Sequence, residues 1–150
     1  MDNDTHELNQ IEGGVYVASI KDIEGISERY ASLLIDNGIR TTEQLLEYGS
    51  TSSARMRLAD ETHLTEDMIK AWVHQADLFR IKGIAKEYAM LLCSVGVCTT
   101  PKLAYRSAES LFAELNELNS EKRLVERVPS VHELETFIVQ AKLLPKLIRH

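Results

Sequence analysis

The sequence predicts an all-α fold of two tandem lobes related by an internal repeat, and three observations carry that prediction. Residues 20–42 recur fifty-eight positions later as residues 78–100. Identities fall at Ile23/Ile81, Gly25/Gly83, Ile26/Ile84, Tyr30/Tyr88, Ala31/Ala89, Leu33/Leu91, Leu34/Leu92, Gly38/Gly96, Thr41/Thr99, Thr42/Thr100 and, just beyond, Leu45/Leu103. Ile69, Trp72, Val73, Ala76 and Phe79 share one helix face, at i, i+3, i+4, i+7 and i+10, and Leu134, Phe137, Ile138, Ala141 and Leu144 repeat that stripe. Hydroxyl side chains stand where helices would start and glycines where they would stop. The offset between copies grows from fifty-eight to sixty-five, which places a seven-residue insertion in the polar stretch 116–127.

Taken in order, residues 1–14 read as a flexible tail, 15–77 as the first lobe and 78–150 as the second, the two fused into one unit. Gly13-Gly14 marks a turn, and Val15, Tyr16 and Val17 form an apolar run that packs the N-terminus on the first lobe. Ser19 with Asp22 has the spacing of a capping box. Gly25 and Gly83 sit where a helix must end in a left-handed conformation, which glycine enters without a Cβ penalty. Ser27 then caps the next helix, Gly38 and Gly96 stop it, and the pairs Thr41-Thr42 and Thr99-Thr100 start another, with Pro101 suited to a first helical position. A helix from Thr42 to about Tyr48 ends at Gly49, and the serines of 50–53 cap a helix over 54–61. Thr65 starts the helix that carries Trp72. A further helix bears Leu111, Phe112, Leu115 and Leu118; Ser130 with Glu133 is a capping box for the last one, which Pro145 interrupts.

The hairpin pattern, a glycine, an isoleucine and a small residue ahead of Tyr-Ala-x-Leu-Leu, resembles the helix-hairpin-helix motif of SAM-like folds over 20–45 and 78–103. That resemblance implies a sequence-independent contact between hairpin amides and a nucleic-acid backbone phosphate. Any exposed helix N-terminus favours an anion by about 0.3–1 kcal/mol. Both copies depart from the motif, since Ser27 and Ala85 replace its second glycine and bring a Cβ to the point of closest approach. The chain as a whole resembles a bacterial family of unknown function made of tandem helix-hairpin-helix units, on Ile23-Glu24-Gly25-Ile26, on Ala76-Asp77-Leu78-Phe79-Arg80-Ile81-Lys82-Gly83 and on Arg127-Val128-Pro129-Ser130.

A net charge of −6 works against general attraction to nucleic acid, so any such contact must be local. The two hairpins differ in this respect. Around the first, Lys21 and Arg29 are outnumbered by Asp22, Glu24 and Glu28, so Gly25, Ile26 and Ser27 read as structural. Around the second, Arg80, Lys82 and Lys86 face only Glu87, which assigns a nucleic-acid contact to Arg80, Lys82, Gly83, Ile84, Ala85 and Lys86. No catalytic set, metal site or cofactor site is expected. The glycine-rich phosphate cradle and the G-x-S-x-G elbow are missing, and the histidines His6, His63, His74, His132 and His150 lack ligand spacing. Tyr30, Tyr88, Trp72 and Phe137 read as core. Cys93 and Cys98 make neither a disulfide framework nor a Cys-x-x-Cys knuckle, which fits a reducing compartment, and Cys93 reads as a small apolar residue. With no apolar run of about 18 residues and a polar first stretch, the expected location is cytoplasmic, away from membranes. The function expected is a non-enzymatic binding module that engages a protein partner or itself, with nucleic-acid backbone binding as the alternative and no small-molecule substrate.

Overall fold

A short polar residue in extended conformation starts nearly every element of this chain. A computed structural model describes residues 11–12, 15–16 and 18–150. Of the stretch 1–14 read as a tail, residues 1–10, 13 and 14 fall outside that set, as do the readings of Gly13-Gly14 as a turn and of Val17 as a packing residue. Ile11–Glu12 pairs antiparallel with Val15–Tyr16. The rest is helical: a single 3₁₀ turn at Ile20–Asp22, then α1 (Glu28–Asp36), α2 (Thr42–Tyr48), α3 (Ser52–Thr62), α4 (Glu66–Leu78), α5 (Lys86–Ser94), α6 (Thr100–Ala104), α7 (Ala108–Lys122) and α8 (Val131–Leu143). Among the described residues, seven of the eight α-helices have a serine or threonine N-cap whose hydroxyl accepts from an amide in the first turn. Each such cap contributes about 1 kcal/mol.

Local details differ from the sequence reading in three places. The first hairpin helix is only one 3₁₀ turn, because the Ser19/Asp22 capping box and the left-handed Gly25 (φ 98°) leave room for three residues. Thr51, rather than a serine, caps α3, so Ser52 and Ser53 lie inside the helix; its Oγ1 accepts from the Ala54 amide at 3.1 Å. The extra length of the second copy is spread out. α7 is four residues longer than α3, its connection to α8 is five longer than the one between α3 and α4, and α6 is two shorter than α2.

The buried side chains form two clusters. One gathers Ile20, Ile23, Leu34, Ile39, Leu45, Leu58, Ile69, Trp72 and Val73; the other gathers Leu78, Ile81, Leu92, Leu103, Leu111, Leu134, Phe137 and Ile138, and Phe79 borders both. Fully burying each such side chain stabilises by about 1.5–3 kcal/mol. Packing follows one scheme twice, α2 and α3 against α4, then α6 and α7 against α8.

Past α8 the chain turns back. Leu144 is extended (ψ 137°), as the ring of Pro145 requires of its predecessor. Ile148 then inserts into the first cluster, although its position in the sequence belongs to the second half. The buried Arg55 holds this return: its guanidinium donates from Nη1 to the Gly49 carbonyl at 2.8 Å and from Nη2 to the Arg149 carbonyl at 3.0 Å.

The cysteines correct the sequence reading, since Cys93 and Cys98 are joined by a disulfide. Gly96 (φ 82°) folds the end of α5 back so that its own amide reaches the Cys93 carbonyl and the Val97 amide reaches Leu92, leaving the two Cα atoms 4.4 Å apart. Gly38 makes the same turn (φ 84°) with Ile35 and Arg40 in those places. The turn therefore comes from glycine and backbone bonding, and the disulfide is laid over it.

Candidate functional site

The second hairpin is built on the last turn of α4. Phe79 closes that helix, the Ile81 amide donates to Leu78, and Gly83 enters a positive φ of 99°. Gln140 of α8 clamps the turn from below: its Oε1 accepts from the Lys82 amide at 2.8 Å and its Nε2 donates to the Lys82 carbonyl at 3.1 Å. Gln75 of α4 makes the same two bonds to Glu24 in the first hairpin, at 3.1 and 3.2 Å. An aromatic ring lies under each glycine. A Cβ on Gly83 would sit 2.7 Å from Phe137, and one on Gly25 would sit 3.2 Å from the indole nitrogen of Trp72.

The residues assigned from the sequence separate on this scaffold. Lys82, Gly83, Ala85 and Lys86 are exposed together, and neither lysine is ion-paired among the described residues. Ile84 turns inward to the second core, as Ile26 does to the first. Arg80 is committed elsewhere: it donates to Asp77 Oδ1 at 2.7 Å and to the Pro145 carbonyl at 2.9 Å. The other oxygen of the buried Asp77 accepts from the Thr100 amide (2.7 Å) and hydroxyl (3.0 Å), which joins the α4 end to the α6 start. Ala85 gives α5 no side-chain cap, whereas in the first hairpin Ser27 Oγ accepts from the Tyr30 amide at 3.3 Å. The first turn of α5 thus keeps its free amides beside two lysines, while that of α1 is capped and lies beside the exposed Glu24 and Glu28.

The segment between α7 and α8 adds a feature that charge counting missed. Arg127 forms a fork with Glu133, Nη1 to Oε1 at 2.9 Å and Nη2 to Oε2 at 3.1 Å, and Glu133 also accepts from the Ser130 amide at 2.8 Å. The hydrogen bond from Arg127, followed by that from the Ser130 backbone, holds the Glu133 carboxyl down at about 2. His74 of α4 packs edge-on against His150 with ring centroids 6.3 Å apart. Burial, then the charges of Lys70, His150, Lys102 and Arg55, lowers its pKa.

A second surface went unread in the sequence. A groove of about 720 Å³ runs between α6 and α8, floored by Pro101, Ala104, Ala141 and Leu144 and edged by Tyr105, Arg106, Lys142 and Lys146. Tyr105 is 90% exposed; along α8, Leu143 is 80% and Val139 56% exposed. Val139 and Leu143, four apart, form an outward apolar pair on the side of α8 away from Ala141, legible in the sequence beside the inward stripe. Among the described residues no group of three or more His, Cys, Asp or Glu is placed to hold a metal ion, and no helix is long and apolar enough to cross a membrane.

The model of a family described as a domain of unknown function, DUF4332, matches residues 24–144, most of the chain. The chain belongs to that family. Neither the curated proteins nor the solved structures give a match. The DUF4332 span takes in both glutamine clamps and the α6–α8 floor, and it ends at Leu144, before the returning segment that carries Ile148 and Arg149.

Proposed function

We propose that this DUF4332 chain is a non-enzymatic binding module made of two tandem helix-hairpin-helix lobes, divided near residue 77, that works through contact with a protein partner. The paired glutamine clamps, the matched positive φ at Gly25 and Gly83 and the ring beneath each glycine support the tandem reading. One observation carries the protein-interaction reading: Tyr105, Val139 and Leu143 stay exposed while two full clusters of apolar side chains are closed. Val139 and Leu143, four apart on α8, form one outward apolar pair, and exposed apolar surface of this kind marks interaction sites. Crosslinking the full chain in cells, with recovery of its partners, together with sedimentation of the purified protein, tests this. A strict monomer that recovers no partner refutes it. A cytoplasmic location stays part of the proposal, although the paired cysteines remove one of its supports.

The uncapped α5 beside Lys82 and Lys86 favours a second reading, weak binding to a nucleic-acid backbone at the second hairpin. Gly83 and Ala85 would offer amides and the two lysines charge, with Arg80 and Ile84 serving the architecture. Contact with about two phosphates gives a shallow salt dependence, a slope of roughly −0.9 per phosphate. Fluorescence anisotropy with labelled duplex and single strand at low salt is the measurement. Binding that survives Lys82→Glu with Lys86→Glu refutes this surface.

A further inference from the structure

We propose that the groove between α6 and α8 receives an acidic amphipathic segment of a partner protein. The inference rests on the protein-interaction reading and names the chemistry of what is bound. The floor is apolar, with Ala104, Ala141 and Leu144, and Tyr105 stands beside it almost wholly exposed. A side chain with so little burial adds nothing to folding, yet offers a large rigid surface to a partner. The rim is cationic: Arg106, Lys142 and Lys146 line it and, among the described residues, no carboxylate does, in a chain whose net charge is −6. Glu114 already pairs with Arg106 at 2.8 Å, so the unmatched charge belongs to Lys142 and Lys146, neither of which is ion-paired among the described residues. An acidic chain that concentrates unpaired cations around an aromatic residue as exposed as Tyr105 selects an occupant with negative charge outside and apolar anchors inside. The apolar floor of Ala104, Ala141 and Leu144 favours a peptide over a nucleic-acid strand, which would bring phosphates rather than carbon to it. Helix-in-groove recognition uses this combination, with anchors at i, i+3, i+4 and i+7 giving affinity and the charged face giving register and rate.

The probe is a synthetic sixteen-residue peptide with Leu and Phe at those anchor positions and Glu elsewhere, titrated into the ¹⁵N-labelled full chain. Two controls carry Lys for every Glu, or Ser for every Leu and Phe. The acidic amphipath should shift the amides of Tyr105, Ser107, Ala141 and Lys142, and added salt should weaken it. Both controls should leave these amides in place. Lys142→Glu with Lys146→Glu should weaken binding at least about tenfold, and Tyr105→Ser should do so without a change of charge; all three side chains are exposed, so the fold is retained. Absence of groove shifts at about 1 mM peptide, equal binding of the lysine control, or indifference to the double change overturns the inference. Groove shifts that depend on protein concentration without peptide overturn it in favour of a second copy of this chain. A partner recovered by crosslinking on another face sinks the groove and leaves the protein-interaction reading standing, whereas a monomer without partners sinks both.

Discussion

Alanine at Gly83, at Gly25 and at Gly38 separates two costs that one glycine conceals. All three glycines have positive φ, 99°, 98° and 84°, so each substitution carries the penalty of an L-residue in left-handed space, about 1–2 kcal/mol. Their surroundings differ. A Cβ at Gly38 meets only the Tyr48 hydroxyl at 4.0 Å, ordinary contact, so strain alone applies and the loss should be about 1–2 kcal/mol. At Gly25 the Trp72 nitrogen at 3.2 Å must yield slightly. At Gly83 the Phe137 ring at 2.7 Å must move, and it is packed in the second core, which adds the roughly 1–3 kcal/mol of an overfilled site. Gly83→Ala should therefore cost roughly 2–5 kcal/mol in all. At about 2–4 °C per kcal/mol for a chain of this size, that lowers Tm by roughly 4–20 °C, against about 2–8 °C for Gly38→Ala. Urea denaturation at unchanged m-value is the assay. Adding Phe137→Leu to Gly83→Ala should recover part of the loss, a coupling a double-mutant cycle reads directly. If Gly38→Ala costs as much as Gly83→Ala, the close approach of Phe137 to the hairpin is not what makes glycine necessary there.

Gln140→Ala removes both clamp bonds to Lys82; since that backbone is exposed and water can replace them, the loss should be about 1 kcal/mol, with faster amide exchange at Lys82 and none at Glu24. The lowered pKa of His74 means that the unfolded chain takes up its proton first as pH falls. Stability should hold above the ordinary histidine value of about 6.5 and decline as pH drops from there through the lowered folded value, and His74→Leu should flatten that decline in denaturation curves between about pH 7 and 5. Reduction of Cys93–Cys98 opens a loop that the disulfide keeps closed, a short one, so it should cost about 2 kcal/mol while the helical circular dichroism is unchanged; collapse of the helical signal would show that the Gly96 turn depends on the disulfide. Arg55→Ala should cost about 2–4 kcal/mol and overlap with Ile148→Ala, because both release the returning C-terminal segment, and additive losses would mean that Arg55 does not hold it.

What was legible in the sequence depends on residues within a turn or two of each other. Ser19 with Asp22, Ser27, Thr41, Thr65, Ser130 with Glu133 and the glycines at 25, 38, 83 and 96 declare helix starts and stops because a cap or a left-handed turn is completed by its own neighbours. The stripes around Trp72 and Phe137 declare buried faces for the same reason. Tertiary structure alone decided how charges and loose ends were spent. Arg80 counts as a hairpin cation in the sequence, yet the Pro145 carbonyl, sixty-five residues away, and the buried Asp77 engage it. Ile148 reads as part of the second half, yet a carbonyl ninety-four residues from Arg55 ties its segment to the first. Cys93 and Cys98 stand five apart, a spacing that a continuing helix would keep unbridged and that the Gly96 turn closes. The α6–α8 groove exists only because two helices with residues 105–130 between them lie side by side, Pro101 and Ala104 of one lining it with Ala141 of the other. Local propensity states which backbone a residue adopts; which partner a side chain finds is settled by contacts that no window of sequence contains.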